Sequence, residues 1–556
     1  MKIQYQLTFI LLCTIDFFTP PVKAQQVYLS GTAKASIEPQ PYPFSVALAG
    51  YGYPRGGRFS LDWIKKDKPE ISLSEFGQSL NWKKQIKLKG GNWQKQAEQE
   101  KIISITRYKG RLFGLTTNDE LMRLELRQDN ADWVKIAKFN GLSYNIHLKA
   151  IAISKGRLYG LDNDNVVFEA RHKTEGELSV RAVAVSTERQ TVVIVGADVC
   201  GFNHNFITSV KAAVAKKHKI PASAILINAS HTHFAPSTQD WTTWGSHQLP
   251  DSVYLNTVLK PAMIGVIENA IRNRKPALLS FGRGKTEIGK NRSLEGAVVP
   301  YDNDVDVLQI ERKKDHHKTV VFLTGCHPVF KNEGIESFTI SPNYPGVTKS
   351  LLEKEAGITE AIFVQGCGGD INPVTLDHKK TGNDLAEDIK DILNRPMEQL
   401  SGEISFYLDS LNFPVKPWTE ERILAFRKES DNGKEDVNAE KDVRWADLML
   451  ARYKNDKMPV KMPVYIQTIN IGNWKLLGLS REAVTDYSLG IKNIWPGKLV
   501  SVAGYCNDVS SYLPTSRHIQ AGSYEGLGSF FWYGQPAVFP MDVYEKIIDQ
   551  IKTQNR

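Results

Sequence analysis

The chain has 556 residues, 41% apolar and 24% charged, with a formal net charge of +9. Ordinary globular usage at this length excludes wholesale disorder and a multi-span membrane protein, and suits either several domains of roughly 150 residues or one large α/β domain with an insertion. The excess of 70 Lys and Arg over 61 Asp and Glu is spread thinly, so no nucleic-acid groove is expected, and the charge favours at most peripheral contact with an anionic membrane surface.

Residues 1–24 carry Lys2, an apolar run from Leu7 to Cys13, and Val22-Lys23-Ala24 before Gln25. That is the pattern of a cleaved secretory signal, and it predicts a secreted or periplasmic protein. The run is too short to span a bilayer, and Leu12 before Cys13 does not make a lipoprotein site. VYLSGTAKASIEP, residues 27–39, reads as an edge strand, and the Gly-rich AGYGYPRGGRF follows it. Residues 60–176 then change character. KGRLFGLTTNDEL from Lys109 and KGRLYGLDNDNVV from Lys155 repeat at 46 residues (155 − 109). This is about one propeller blade, and two copies cannot close a propeller. An inserted β-rich domain is therefore expected here, an incomplete propeller with Trp82, Trp93 and Trp133 in its core.

From 177 the pattern is α/β. VRAVAV and TVVIVGADV are apolar strands, the second suited to burial on both faces. A helix through SVKAAVAKKHKI leads to the strand SAILINAS, and residues 251–273 form an amphipathic helix. DVDVLQIER, KTVVFLTGCHP and TEAIFVQGCGGD are further strands, with a helical crossover over 345–358. Residues 418–457 are charge-dense helices on the outside of the body, read as a solvated face. Strands return at 461–480, and a loop-rich tail ends in a helix at MDVYEKIIDQIK. The mature chain keeps Cys200, Cys326, Cys367 and Cys506, none within 40 residues of the next, so there is no CxxC knuckle. Cys326 and Cys367 lie in two Gly-rich motifs that can meet in space. Buried free thiols are expected rather than a disulfide.

The chemistry gathers at strand ends, where open α/β sheets place ligands. His231-Thr232-His233 follows an apolar strand, and residues two apart on an extended chain point the same way. His327 closes a second strand in Thr-Gly-Cys-His-Pro. Neutral imidazoles suit Zn2+, and catalytic zinc takes three or more protein ligands with one open position. Glu482, Asp198 and Asp370 are the anionic candidates, and Tyr505, Tyr512 and Tyr524 crowd the region after the last strand. Spacing alone leaves the choice among them open. His204 and His247 are weaker candidates. The glycines Gly368 and Gly369 allow close backbone approach to a ligand.

Taken in order, SGTAKASIEPQPYPFSVALAGYG, VIVGADVCG, ILINASHTHFAP, GKNRS, TGCHPV, QGCGGDINP, GLSREAV and YCNDVSSYLPTSRHIQAGSYEG resemble the neutral, non-lysosomal ceramidase family of zinc amidohydrolases. The resemblance covers about 27–59 and 177–545. It implies a mixed-sheet α/β catalytic domain, to which the β-rich insertion 60–176 is extra, and 546–556 is read as a tail. It further implies zinc held by His231, His327, Glu482 and Tyr512, with His233 a non-ligating active-site histidine, Arg292 on the substrate side, and Tyr524 facing the reaction centre. Two departures stand out. The family's Gly-Asp-x-Ser-Pro reads Gly369-Asp370-Ile371-Asn372-Pro373, and its Pro-Gly-Glu reads Ser480-Arg481-Glu482. An amide is not an activated nucleophile but hydrogen-bonds in both senses, so Asn372 is expected to orient the substrate. The inventory suits hydrolysis by metal-activated water. An N-acyl, ceramide-like amide is the expected substrate. The alternatives are a glycan or glycoconjugate stacked on Trp241 and Trp244, and a non-catalytic lipid- or carbohydrate-binding protein.

Overall fold

In a computed structural model of the protein, the described residues are 26–39, 48–49, 61–86, 92–126, 131–138, 147–245, 249–296, 299–331, 339–431, 433 and 436–554. The segment 1–24 expected to be a signal, nearly all of the Gly-rich loop 49–59, and His247 lie outside them. The architecture is mixed α/β.

Among the described residues, twelve strands build the body, in three successive sets of four. The first is β1 (Tyr28–Ser36), β2 (Ser179–Ser186), β3 (Thr191–Ala197) and β4 (Ile225–Ala229). The second is β5 (Lys275–Lys285), β6 (Asp304–Arg312), β7 (Lys318–Thr324) and β8 (Ile358–Gln365). The third is β9 (Ile404–Pro414), β10 (Lys461–Ile471), β11 (Trp474–Leu479) and β12 (Leu499–Ala503). Each set pairs in the same way: first with second antiparallel, second with third antiparallel, third with fourth parallel. The parallel step requires a crossover. Helices α1 (His204–His218), α2 (Asn343–Leu352) and α3 (Thr485–Lys492) supply it in the three sets. The first two sets join through β1 and β5 into one sheet, ordered β4-β3-β2-β1-β5-β6-β7-β8. Thus β1 is central, not an edge as its sequence suggests. It pairs with β2 from Leu29 to Ser36 and with β5 from Tyr28 to Ser30.

Val192, Val193, Ile194 and Val195 on β3 and Ile225, Leu226 and Ile227 on β4 are fully buried in the largest core cluster. Each such side chain contributes about 1.5–3 kcal/mol on leaving water. Gly196 has a steric reason: a Cβ there would sit 2.4 Å from the Phe363 carbonyl oxygen of β8. That contact shows that β3 and β8, far apart in the sheet order, come together as the sheet curls.

Two four-stranded antiparallel sheets occupy 61–172. One runs through Ile102–Tyr108, Arg111–Thr116, Glu120–Leu126 and Ala131–Lys138 in chain order. The other takes Leu148–Ser154, Arg157–Asp162 and Val167–His172, and completes itself with Leu61–Lys65 from the N-terminal side. Lys109-Gly110 and Lys155-Gly156 are the corresponding hairpin turns, with φ of 46° and 79°, and 49° and 79°. Asp62-Trp63-Ile64-Lys65 answers Asp132-Trp133-Val134-Lys135 on the last strand of each sheet. Trp63 lies against Gly160 and Trp133 against Gly114. Trp82 and Trp93 are buried with Trp133, as expected of core residues.

The charge-dense segment is more than a solvated face. Its helices Glu420–Ser430 and Val437–Lys454 bury Ile423, Trp445 and Met449 against Phe530. The expected boundary at 545 falls inside helix Val543–Gln554, whose Val543, Ile547, Ile548 and Ile551 pack into the core of the third set. Cys200, Cys326, Cys367 and Cys506 are buried free thiols.

Candidate metal centre

The fourth strands of the three sets meet through one side chain. Asn228, near the end of β4, donates from Nδ2 to the carbonyls of Gln365 (3.2 Å) and Gly504 (2.8 Å) and accepts from the Gln365 N–H at 2.8 Å. The buried amide adds to backbone pairing where the strand ends converge: the Asn507 N–H donates to the Ile227 carbonyl at 2.8 Å and the Ala229 N–H to the Tyr505 carbonyl at 3.2 Å. The third strands then deliver equivalent positions. Cys200, His327 and Glu482 each lie three residues beyond their strand (200 − 197, 327 − 324, 482 − 479). His231 and Tyr505 each lie two residues beyond a fourth strand and hold left-handed φ of 65° and 55°. Such a backbone costs of order 1–3 kcal/mol for a residue with a Cβ and persists where the surroundings over-determine it. Here the His231 N–H is held by the Val199 carbonyl at 3.0 Å.

His231, His327 and Glu482 form a buried triangle. Glu482 Oε2 lies 3.0 Å from His231 Nε2 and 3.2 Å from His327 Nε2. Each imidazole is oriented from behind: His231 Nδ1 lies 2.6 Å from the Cys200 carbonyl and His327 Nδ1 3.1 Å from the Ile371 carbonyl. A carbonyl only accepts, so Nδ1 carries a proton in both rings, and Nε2 is the nitrogen through which each can ligate a cation. Two such nitrogens and a carboxylate oxygen facing one another can hold a cation between them. The donor set, two imidazole nitrogens and one carboxylate oxygen, suits Zn2+. Tyr512 Oη, 3.5 Å from His327 Nε2, stands beside the triangle. Its strand residue is paired in register with Glu482 in a two-residue parallel ladder.

In the metal-free chain, burial and then the Arg292 charge push His327 down to about 4, so this imidazole is neutral at physiological pH. Burial, with His231 and His327 beside it, lowers His233 well below its ordinary value. Burial works against charge on both Glu482 and His231, but the His231 and His327 imidazoles hold Glu482 below the usual range, and Cys200 and Glu482 raise His231 well above its ordinary value. Burial, with the Glu482 charge next, raises the Tyr512 phenol well above its ordinary value.

The other sequence candidates divide. His233 Nε2 lies 3.1 Å from His231 Nε2. Arg292 is a hub: Nε donates to Glu525 Oε1, Nη1 to Asn372 Oδ1, and Nη2 to both Tyr512 Oη and the Gly369 carbonyl, each at 3.0 Å. Tyr524 is 45% exposed, its ring 5.5 Å from that of Tyr512. Asp198 and Asp370 stand outside the triangle. Asp198 is bound by Lys349 and Ser179; Asp370 accepts from Asn291 Nδ2 and the Thr485 N–H and faces His518. His204 stacks on Tyr465 instead. Gly369 serves the neighbouring strand, since a Cβ there would lie 2.7 Å from the Glu482 carbonyl oxygen.

Sequence reasoning missed Tyr533, whose hydroxyl donates a short hydrogen bond to Glu482 Oε1, and Glu525, the partner of Arg292. The only sequence signals were the four consecutive aromatics Phe530–Tyr533 and the adjacency of Glu525 to Tyr524. The outer helices hold this segment in place. Trp445 Nε1 donates to the Gln535 carbonyl and Arg452 Nη1 to the Gly534 carbonyl, both at 2.8 Å. Arg481, which stands where the resembled motif has glycine, adopts φ 72°. It pins the Glu482 backbone by donating to the Pro463 carbonyl at 2.9 Å and to Ser511.

Fold and site define a mixed α/β protein with a buried His-His-Glu centre at converging strand ends. No protein-family model and no curated protein sequence matches the chain. Among solved structures it matches the neutral ceramidase of Pseudomonas aeruginosa, with a TM-score of 0.54 at 17% identity over 69% of this chain and 70% of that one. It also matches a structure described as ceramidase complexed with C2, at 0.53, 16%, 68% and 69%. The chain therefore has the ceramidase-like fold.

Proposed function

We propose that the protein is a zinc-dependent hydrolase of N-acyl bonds in ceramide-like amphipathic amides, secreted or periplasmic after loss of residues 1–24. The observation that carries the reading is the buried triangle of His231, His327 and Glu482, with both Nδ1 atoms committed to carbonyls. The ceramidase-like fold supports the substrate class. Tyr512 completes the ligand set. Zinc bound there supplies Lewis acidity, which polarises a carbonyl and acidifies water. His233, neutral and beside His231, moves a proton between the attacking water and the leaving nitrogen. The half-exposed Tyr524 donates to the substrate from the open side. Arg292 holds Tyr512 and Asn372 in register. The catalytic body comprises 27–59 and 177–554, and 60–176 is an inserted β-rich unit whose second sheet closes on its own N-terminal strand.

Elemental analysis and side-by-side assays test this reading. About one zinc per chain is expected, lost in His231→Ala and His327→Ala, with fatty acid released from a short-chain ceramide or an N-acyl amino acid. Wild-type zinc content in both variants would remove the site. Turnover confined to glycans would replace the substrate class.

A further inference from the structure

Asn372 stands where the resembled motif carries serine, and its surroundings decide what it presents. It lies in Ile371–Pro373, paired antiparallel with Gly289–Asn291, so its backbone is fixed opposite Lys290. The preceding residue, Ile371, gives its carbonyl to the N–H and to Nδ1 of His327 at 2.9 and 3.1 Å. Arg292 Nη1 donates to Asn372 Oδ1 at 3.0 Å. A guanidinium has donors only, so the amide atom turned toward Arg292 must be the oxygen. Arg292 is itself held by Glu525, the Gly369 carbonyl and Tyr512, so it cannot swing away to let the amide reverse. The Asn372 NH2 group is therefore turned away from Arg292, and among the described residues it donates to none.

We infer that Asn372 is a catalytic hydrogen-bond donor to the acyl oxygen of the substrate, with Arg292 as the positioning residue that sets its polarity. This deepens the hydrolase reading and rests on it. Tyr512 Oη receives a hydrogen bond from the same guanidinium at 3.0 Å and lies 3.5 Å from His327 Nε2, so the amide sits one hub away from the triangle. A donor fixed before the reaction stabilises an oxyanion whose developing charge comes within its reach. The site thus selects substrates with an acceptor at the scissile centre. No bond forms between enzyme and acyl group at position 372. One water is consumed per bond cleaved, its oxygen going to the released carboxylate and a proton to the leaving amine.

The test uses the full mature, zinc-loaded protein and three variants. Asn372→Leu removes the donor with little change in shape. Asn372→Asp keeps a partner for Arg292 but has no donor when ionised. Asn372→Ser retains a shorter donor. Two readouts are taken: kcat and KM on a short-chain ceramide, and calorimetric affinity for octylphosphonate, whose tetrahedral oxygens stand in for an oxyanion. Losing one such donor lowers kcat about 100-fold or more. That loss is expected in the Leu and Asp variants, with KM nearly unchanged. Octylphosphonate should bind Asn372→Leu at least tenfold more weakly, while Asn372→Ser recovers part of both, at unchanged zinc content. Octylphosphonate affinity within threefold of wild type in Asn372→Leu would overturn the inference. If that variant does not fold, Asn372→Asp with kcat within threefold of wild type would overturn it instead. Absence of any amide turnover in the wild type would fail the hydrolase reading alone, because phosphonate affinity is still measured.

Discussion

Replacing Tyr533 by phenylalanine isolates one hydrogen bond to the carboxylate of the metal triangle. Glu482 is fully buried. Its Oε2 faces His231 and His327 at 3.0 and 3.2 Å, and Oε1 accepts from the Tyr533 hydroxyl. The phenylalanine ring can keep the packing of the tyrosine, whose centroid lies 6.0 Å from Trp241 and 6.1 Å from Tyr512. Only the donor is lost, and Oε1 remains buried without a partner. A hydrogen bond to a charged group is worth about 1.5–3 kcal/mol. At 1.4 kcal/mol per tenfold this corresponds to a fall in zinc affinity of about 10–100-fold, the range seen when residues behind a metal ligand are removed. Competition against a chromophoric chelator measures the Kd directly. The melting temperature of the metal-free variant shows whether the fold is intact. A Kd within threefold of wild type would refute the argument that Tyr533 sets the carboxylate for metal.

Burial, with Glu177 and Asp198 nearby, raises Glu38 to about 7, although the Leu178 N–H donates to its Oε1. Folded Glu38 therefore keeps its proton at pH values where the unfolded chain has lost it, and this residue removes stability as pH rises from about 4.3 through about 7. Glu38→Gln should raise the melting temperature at pH 8 and leave it nearly unchanged at pH 4, and an equal effect at both would contradict the assignment. Gly196→Ala places a Cβ 2.4 Å from the Phe363 carbonyl oxygen. The backbone of β8 must shift, so a loss of about 1–3 kcal/mol is expected, read as a lower urea midpoint; an unchanged midpoint would mean that β3 and β8 do not touch.

Much of the site was legible because strand ends leave local signals. His231 and His233 follow an apolar run by the period of two, and His327 closes another. Glu482 was one of three carboxylates that spacing could not separate, and only the resemblance singled it out. Tyr533 was illegible because its role depends on helices Glu420–Ser430 and Val437–Lys454 bracing 529–535, and the charge of those helices concealed the buried Trp445. β1 read as an edge because its partners β2 and β5 lie over a hundred residues downstream.

By itself the sequence determined the alternation of apolar strands and helices, the two KGRL turns, and the chemical types available at the strand ends. Those properties follow from hydrophobic periodicity and turn residues, which act over a few neighbours. The tertiary structure decided that three sets of strands repeat one pairing pattern, that Asn228 ties their fourth strands together, and that Cys200, His327 and Glu482 thereby occupy matching places around one centre. It also decided which way the Asn372 amide faces, through Arg292. These are contacts between segments 80 to 276 residues apart. No local propensity encodes them. They arise only when the sheet curls so that β8 meets β3 and the burial of Val193, Leu226 and Phe363 outweighs the chain entropy lost in closing it.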